Sequence, residues 1–76
     1  MTKQEYLDWV INNGEFSYSD RKYNVGLYSA DYGFWFCNAY DDEGIFVEIP
    51  QDAFVCKMED GRTSEDVLPE LNSDLL

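Results

Sequence analysis

The sequence predicts an α+β fold: an N-terminal helix packed on a three- to four-stranded antiparallel β-meander, with a short C-terminal helical segment. Three observations carry this expectation. Between Tyr23 and Ile49 the chain reads YNVGLYSADYGFWFCNAYDDEGIFVEI, three runs rich in aromatic and β-branched residues. Polar stretches that end in glycine separate the runs. Ahead of them stands a helix-start signature, Thr2-Lys3-Gln4-Glu5, with a helix-stop glycine at position 14.

The helix comes first in the chain. Thr2 and Glu5 have the spacing of a capping box, in which each side chain bonds the other residue's backbone amide. Gly14 follows Asn12-Asn13 and takes the left-handed conformation that ends a helix. The predicted span is Lys3 to Asn13. Tyr6, Leu7 and Val10, with Ile11 widening the stripe and Trp9 at its margin, form the face that packs on the sheet. Glu5, Asp8 and Asn12 then form an outward ridge.

Glu15 to Lys22 is polar, with Phe16 and Tyr18 at alternate positions, and reads as an edge strand that ends in the turn Ser19-Asp20-Arg21-Lys22. Within the core runs, side chains alternate between faces. Tyr23, Val25 and Leu27 share one side. Phe34 and Phe36 oppose Trp35, Cys37 and Ala39, and Ile45, Val47 and Ile49 oppose Phe46 and Glu48. The predicted turns are Ser29–Gly33 and Asp41–Gly44, short enough for antiparallel hairpins. One helix covers one face of such a sheet. Tyr28, Trp35 and Phe46 then lie on the second face, either covered by the 50–60 segment or left as a binding surface.

After Pro50 the signals divide. Proline at a first helical position, Asp52 early, Lys57 late and Gly61 beyond favour a short helix; alternation of Phe54, Cys56 and Met58 favours a strand. The helix is the reading taken. Ser64 is expected to cap a last turn through Glu65, Asp66, Val67 and Leu68, which Pro69 disturbs. Residues 70–76 are expected to fray unless Leu71, Leu75 and Leu76 dock.

Seventy-six residues predict one domain, 1–76. Its high aromatic share, 17%, compensates for a short chain. Cys37 and Cys56 are expected to be reduced core thiols, and the absence of histidine argues against a zinc site. No cofactor or metal is expected. Asp41-Asp42-Glu43-Gly44, with Glu48 nearby, lacks the alternate spacing of a calcium loop and reads as a solvated acidic hairpin tip. Without histidine there is no Ser-His or Cys-His dyad, and no glycine spacing forms a phosphate loop, so catalysis is not expected. No run of about 18 apolar residues crosses a membrane and no apolar leader opens the chain, which points to the cytoplasm.

The charge carries the functional expectation. Sixteen acidic residues against five basic ones leave −11, with a pI near 4.1. Direct nucleic-acid binding is disfavoured by repulsion, so the expected partner is a basic protein. The candidate contact residues are the carboxylates Glu5, Asp8, Asp41, Asp42, Glu43, Glu59, Asp60, Glu65 and Asp66, with Tyr32 and Tyr40 as protruding anchors. Tyr18 and Tyr28 add further polar-tipped rings.

In its size, its charge, its lack of an export signal and its acidic runs Asp41–Glu43, Glu59–Asp60 and Glu65–Asp66, the chain resembles small acidic inhibitors of phages and mobile elements. These are the anti-CRISPR and anti-restriction DNA mimics. It also resembles immunity proteins that neutralise basic nuclease toxins. The resemblance implies a nuclease, a CRISPR complex or another nucleic-acid enzyme as partner, in host cytoplasm if the chain is phage-encoded. Short length and a Met1 start favour the phage type. The alternative is a non-enzymatic interaction or structural module, such as a homodimer that uses a sheet edge or an exposed aromatic face.

Overall fold

The computed structural model describes residues 1–38 and 41–76, at 41 and 42 through the backbone. Helix α1 spans Lys3–Asn13. Four strands follow: β1 Glu15–Ser19, β2 Asn24–Ala30, β3 Gly33–Asn38 and β4 Asp41–Val47. They form one antiparallel sheet in the order β1-β2-β3-β4. A 3-10 turn at Pro50–Val55, helix α2 at Ser64–Val67 and two further 3-10 turns complete the chain. The predicted fold is the observed one, with β1 as the fourth strand.

The local chemistry of α1 accounts for both of its ends. Thr2 Oγ1 accepts from the Glu5 amide at 3.1 Å, and the Thr2 amide donates to Glu5 Oε1 at 3.0 Å. At the other end Gly14, at φ 78°, donates its amide to the Val10 carbonyl at 2.7 Å. Tyr6 and Val10 are buried, and Leu7 packs against the core. Ile11 departs from the predicted stripe. It is 73% exposed, on a flank of α1 turned away from the buried Tyr6 and Val10.

The core lies between one sheet face and a layer made of α1 and the C-terminal segment. Phe16, Leu27, Phe36 and Ile45 face each other across all four strands, and directly paired residues share a face. From the other layer come Tyr6 and Val10 of α1, then Ala53, Met58, Val67, Leu68 and Leu71. Tyr18 belongs to this core at 1% exposure, and its hydroxyl donates to Asp20 and accepts from the Asn72 amide. The expectation of Tyr18 as a surface ring is therefore corrected.

Four further expectations are refined. The segment after Pro50 is helical, but as a 3-10 turn, after which Cys56 is extended and Lys57 bridges Thr63. The cap of α2 is Thr63, whose Oγ1 accepts from the Asp66 amide, while Ser64 turns inward and donates to the Ala53 carbonyl. The C-terminal residues dock in part: the Met1 ammonium donates to the Leu71 carbonyl at 3.0 Å, Leu71 is buried and Leu76 packs against the core, while Leu75 is exposed. Ile49, expected inward, is half exposed because β4 ends at Val47 and the chain bends away.

The largest correction concerns Asp41–Gly44. The expected turn is instead the start of β4. Phe36 pairs with Ile45 and Asn38 with Asp41, so the single residue Cys37 stands opposite three, Asp42, Glu43 and Gly44. Gly44 lies within this irregularity at a positive φ of 81°, a conformation open to glycine at no steric cost. The acids lie along an edge strand, and the connection at 39–40 is outside the described residues. The other turn is as expected but tighter: Ala30 pairs with Gly33, leaving Asp31-Tyr32 as the loop.

Candidate docking surface

The outer face of the sheet carries no covering layer among the described residues. The register places Glu15, Tyr28, Trp35 and Phe46 in one row across the four strands, on the side opposite the core. Tyr28, Trp35 and Phe46 are 37%, 44% and 44% exposed. Of the two possibilities left open by the alternation pattern, the uncovered one holds. The 50–60 segment packs on the inner face instead, where Ala53 and Met58 are buried.

Three glycines shape this face. A methyl group built on Gly26 would sit 2.4 Å from the Tyr28 ring. On Gly33 it would meet Phe46 Cζ at 2.7 Å, and on Gly44 it would lie 3.5 Å from Trp35. Each side chain therefore leans across the sheet over a glycine rather than standing away from it, a pattern that restores packing where glycine offers none. Trp35 and Phe46 meet edge to face, with centroids 5.5 Å apart. Cys37 is free and half-buried on this same face, so it is not the core thiol expected; Cys56 is, and burial pushes its thiol pKa up.

The carboxylates do not form the one shared face that mimicry of a nucleic-acid backbone calls for. Glu5 is committed to the cap, and Asp8, one turn on, accepts from Gln4 Nε2 at 2.8 Å. Glu65 of α2 pairs with Lys3, which links α2 to α1 and brings these acids onto one layer with the exposed Asp66. Glu59 and Asp60 lie elsewhere, against the β1–β2 turn. Glu59 Oε1 accepts from the Asn24 amide at 2.9 Å. Asp60 accepts from the Tyr23 hydroxyl at 2.8 Å and from Arg62, which also pairs with Glu70. Glu43 is exposed on β4. Tyr32 stands 89% exposed in the β2–β3 turn. Tyr40 and the side chains of Asp41 and Asp42 lie outside the described residues.

Much of the acidity near the β1–β2 turn is thus structural. The Tyr23 hydroxyl, with Arg62, holds the Asp60 carboxyl down to about 2. Arg62 and Lys22 lower Glu70. A depressed carboxylate stabilises the fold above its ordinary range and loses that contribution as pH falls toward the folded value. Melting temperature is therefore expected to fall between pH 4 and pH 2 more steeply in the native chain than in Asp60→Asn. Relief of the overall negative repulsion is common to both, so the difference isolates this network. Parallel curves on thermal melts would remove Asp60 from it.

Among the described residues no group of three or more His, Cys, Asp or Glu side chains is placed to hold a metal. No helix is long and apolar enough to cross a membrane. The aromatic row is the part of the surface that the sequence named without choosing. The signal for it was the phase of Trp35 and Phe46 against the buried Phe36 and Val47. No protein-family model, curated protein or solved structure matches the chain.

Proposed function

We propose that the chain is a non-enzymatic acidic inhibitor that docks on the basic, nucleic-acid-binding surface of a nuclease or of a CRISPR or restriction defence complex. The observation that carries this is a net charge of −11 on 76 residues. A basic groove built for phosphates also attracts exposed carboxylates, and association is steered by the same field. Glu5, Asp8 and Asp66 stand exposed on the helical layer, and Glu43 on the β4 edge, so negative potential surrounds the molecule. The site of action is the cytoplasm, that of the host if the chain is phage-encoded. An immunity protein against a nuclease toxin would use the same chemistry.

A second reading, an interaction module that pairs with itself, draws on the exposed row Tyr28, Trp35 and Phe46. Charge weighs against it, because two copies at −11 repel. Capture of partners from bacterial lysate on the immobilised chain, washed at low and at high salt, tests the two. The inhibitor is expected to retain a basic nucleic-acid enzyme that is lost at high salt; self-association would retain only the chain itself.

A further inference from the structure

We propose that the outer sheet face is the surface on which this partner sits, with partner arginines stacking on the rings of Tyr28 and Trp35 and pairing with Glu15. This rests on the reading above, that the partner is basic. Three features lead to it. The row is apolar in its middle and acidic at its flank: Glu15 stands directly opposite Tyr28, and Glu48, two residues past Phe46, is exposed. The rings are held over Gly26, Gly33 and Gly44, so the aromatic surface is ordered before binding and loses little freedom on contact. And the charge of −11 favours an occupant with positive charge over a second copy or nucleic acid.

A planar guanidinium fits this surface better than an ammonium. It stacks on an aromatic ring and still offers in-plane donors to a carboxylate. The chain's own cations already lie against rings beside acids. Lys22 Nζ sits 5.2 Å from the Tyr23 ring centre while pairing with Glu70, and Lys3 Nζ sits 5.7 Å from that of Phe54 while pairing with Glu65. The helical layer is the poorer docking surface, since Glu5 and Glu65 there are committed to the cap and to Lys3.

The test uses the intact chain with two probes, octa-arginine and octa-lysine peptides, titrated by calorimetry with the tryptophan indole N–H signals followed by NMR. The arginine peptide is expected to bind at least about fivefold more tightly, with the Trp35 indole signal shifted. Trp35→Leu keeps an apolar cover on Gly44 without an aromatic face. It is expected to weaken the arginine peptide roughly tenfold, the scale of a central aromatic contact, and to remove the preference over lysine. Glu15→Gln is expected to weaken it by a smaller factor. Equal binding of both peptides, unaffected by Trp35→Leu and weakened by Asp8→Asn, would overturn this face while leaving the basic partner standing. No binding of either peptide at low salt would overturn both.

Discussion

Phe36→Ala is expected to remove a large share of the stability of the fold. Phe36 lies at the centre of β3, 1% exposed, in the row Phe16–Leu27–Phe36–Ile45 that runs across the whole inner face. Truncating a buried phenylalanine costs about 3–5 kcal/mol, from lost burial and from the cavity left behind. At roughly 0.05–0.15 kcal/mol per residue, a chain of this length has only about 4–11 kcal/mol in total. Phe46→Ala provides the comparison. That ring is 44% exposed and makes its main contacts with Trp35 and Gly33, so about 1 kcal/mol is expected. Urea titrations followed by circular dichroism measure both. Similar losses would mean that the outer aromatic row is a second core, and would end its role as a docking surface.

Gly33→Ala is the second large effect. A Cβ at this position would lie 2.3 Å from the Val47 carbonyl oxygen and 3.1 Å from Glu48 Cα, both backbone atoms. Backbone cannot swing aside as a side chain can, so β3 and β4 must separate where Phe34 pairs with Val47. A loss of about 2–3 kcal/mol is expected, at the upper end of overpacking costs. Gly26→Ala is the control. Its new Cβ would meet only the outer end of the Tyr28 side chain, which can shift by a small amount where backbone cannot. Its cost is expected to stay under about 1 kcal/mol, offset in part by the lower entropy of the unfolded alanine chain. Equal destabilisation by the two substitutions would show that the rings, rather than the β3–β4 spacing, decide.

These contrasts bear on how much of the protein was legible in its sequence. The bounds of α1 were, because Thr2, Glu5 and Gly14 settle both ends through contacts within four residues of each other. So were the inner faces of β2 and β3, because alternation of Val25, Leu27 and Phe36 against Tyr28 and Trp35 is a local pattern. Asp41–Gly44 was misread for a physical reason. A glycine after three acids has the composition of a turn, yet Gly44 uses its positive φ inside β4 to absorb the register shift opposite Cys37. That shift depends on strand pairing, which composition does not report. Thr63 and Ser64 are adjacent hydroxyls with equal capping chemistry, and only the buried Ala53 carbonyl decides which one turns inward.

The candidate surface was legible in its ingredients and not in its layout. Glu59, Asp60 and Glu65 look like free surface charge, but their partners Asn24, Tyr23 and Lys3 lie 35 or more residues away in sequence. Internal pairing of this kind is fixed by tertiary contact alone. Tyr18 likewise has the polar tip of an interface residue, and spends it on Asp20 and Asn72. The outer row is left uncovered, with Tyr32 at one end of the sheet and acids at its margins.

The measurement that tests the central claim most directly is the salt-graded capture from bacterial lysate, completed by competition. The retained protein is identified by mass spectrometry, and its binding to labelled DNA or RNA is measured as the acidic chain is added. The account predicts a basic nucleic-acid enzyme, released by high salt, whose nucleic acid is displaced as the chain is titrated in. A partner that is neutral or acidic, held equally at both salts, or one that binds chain and nucleic acid together without mutual weakening, would contradict it.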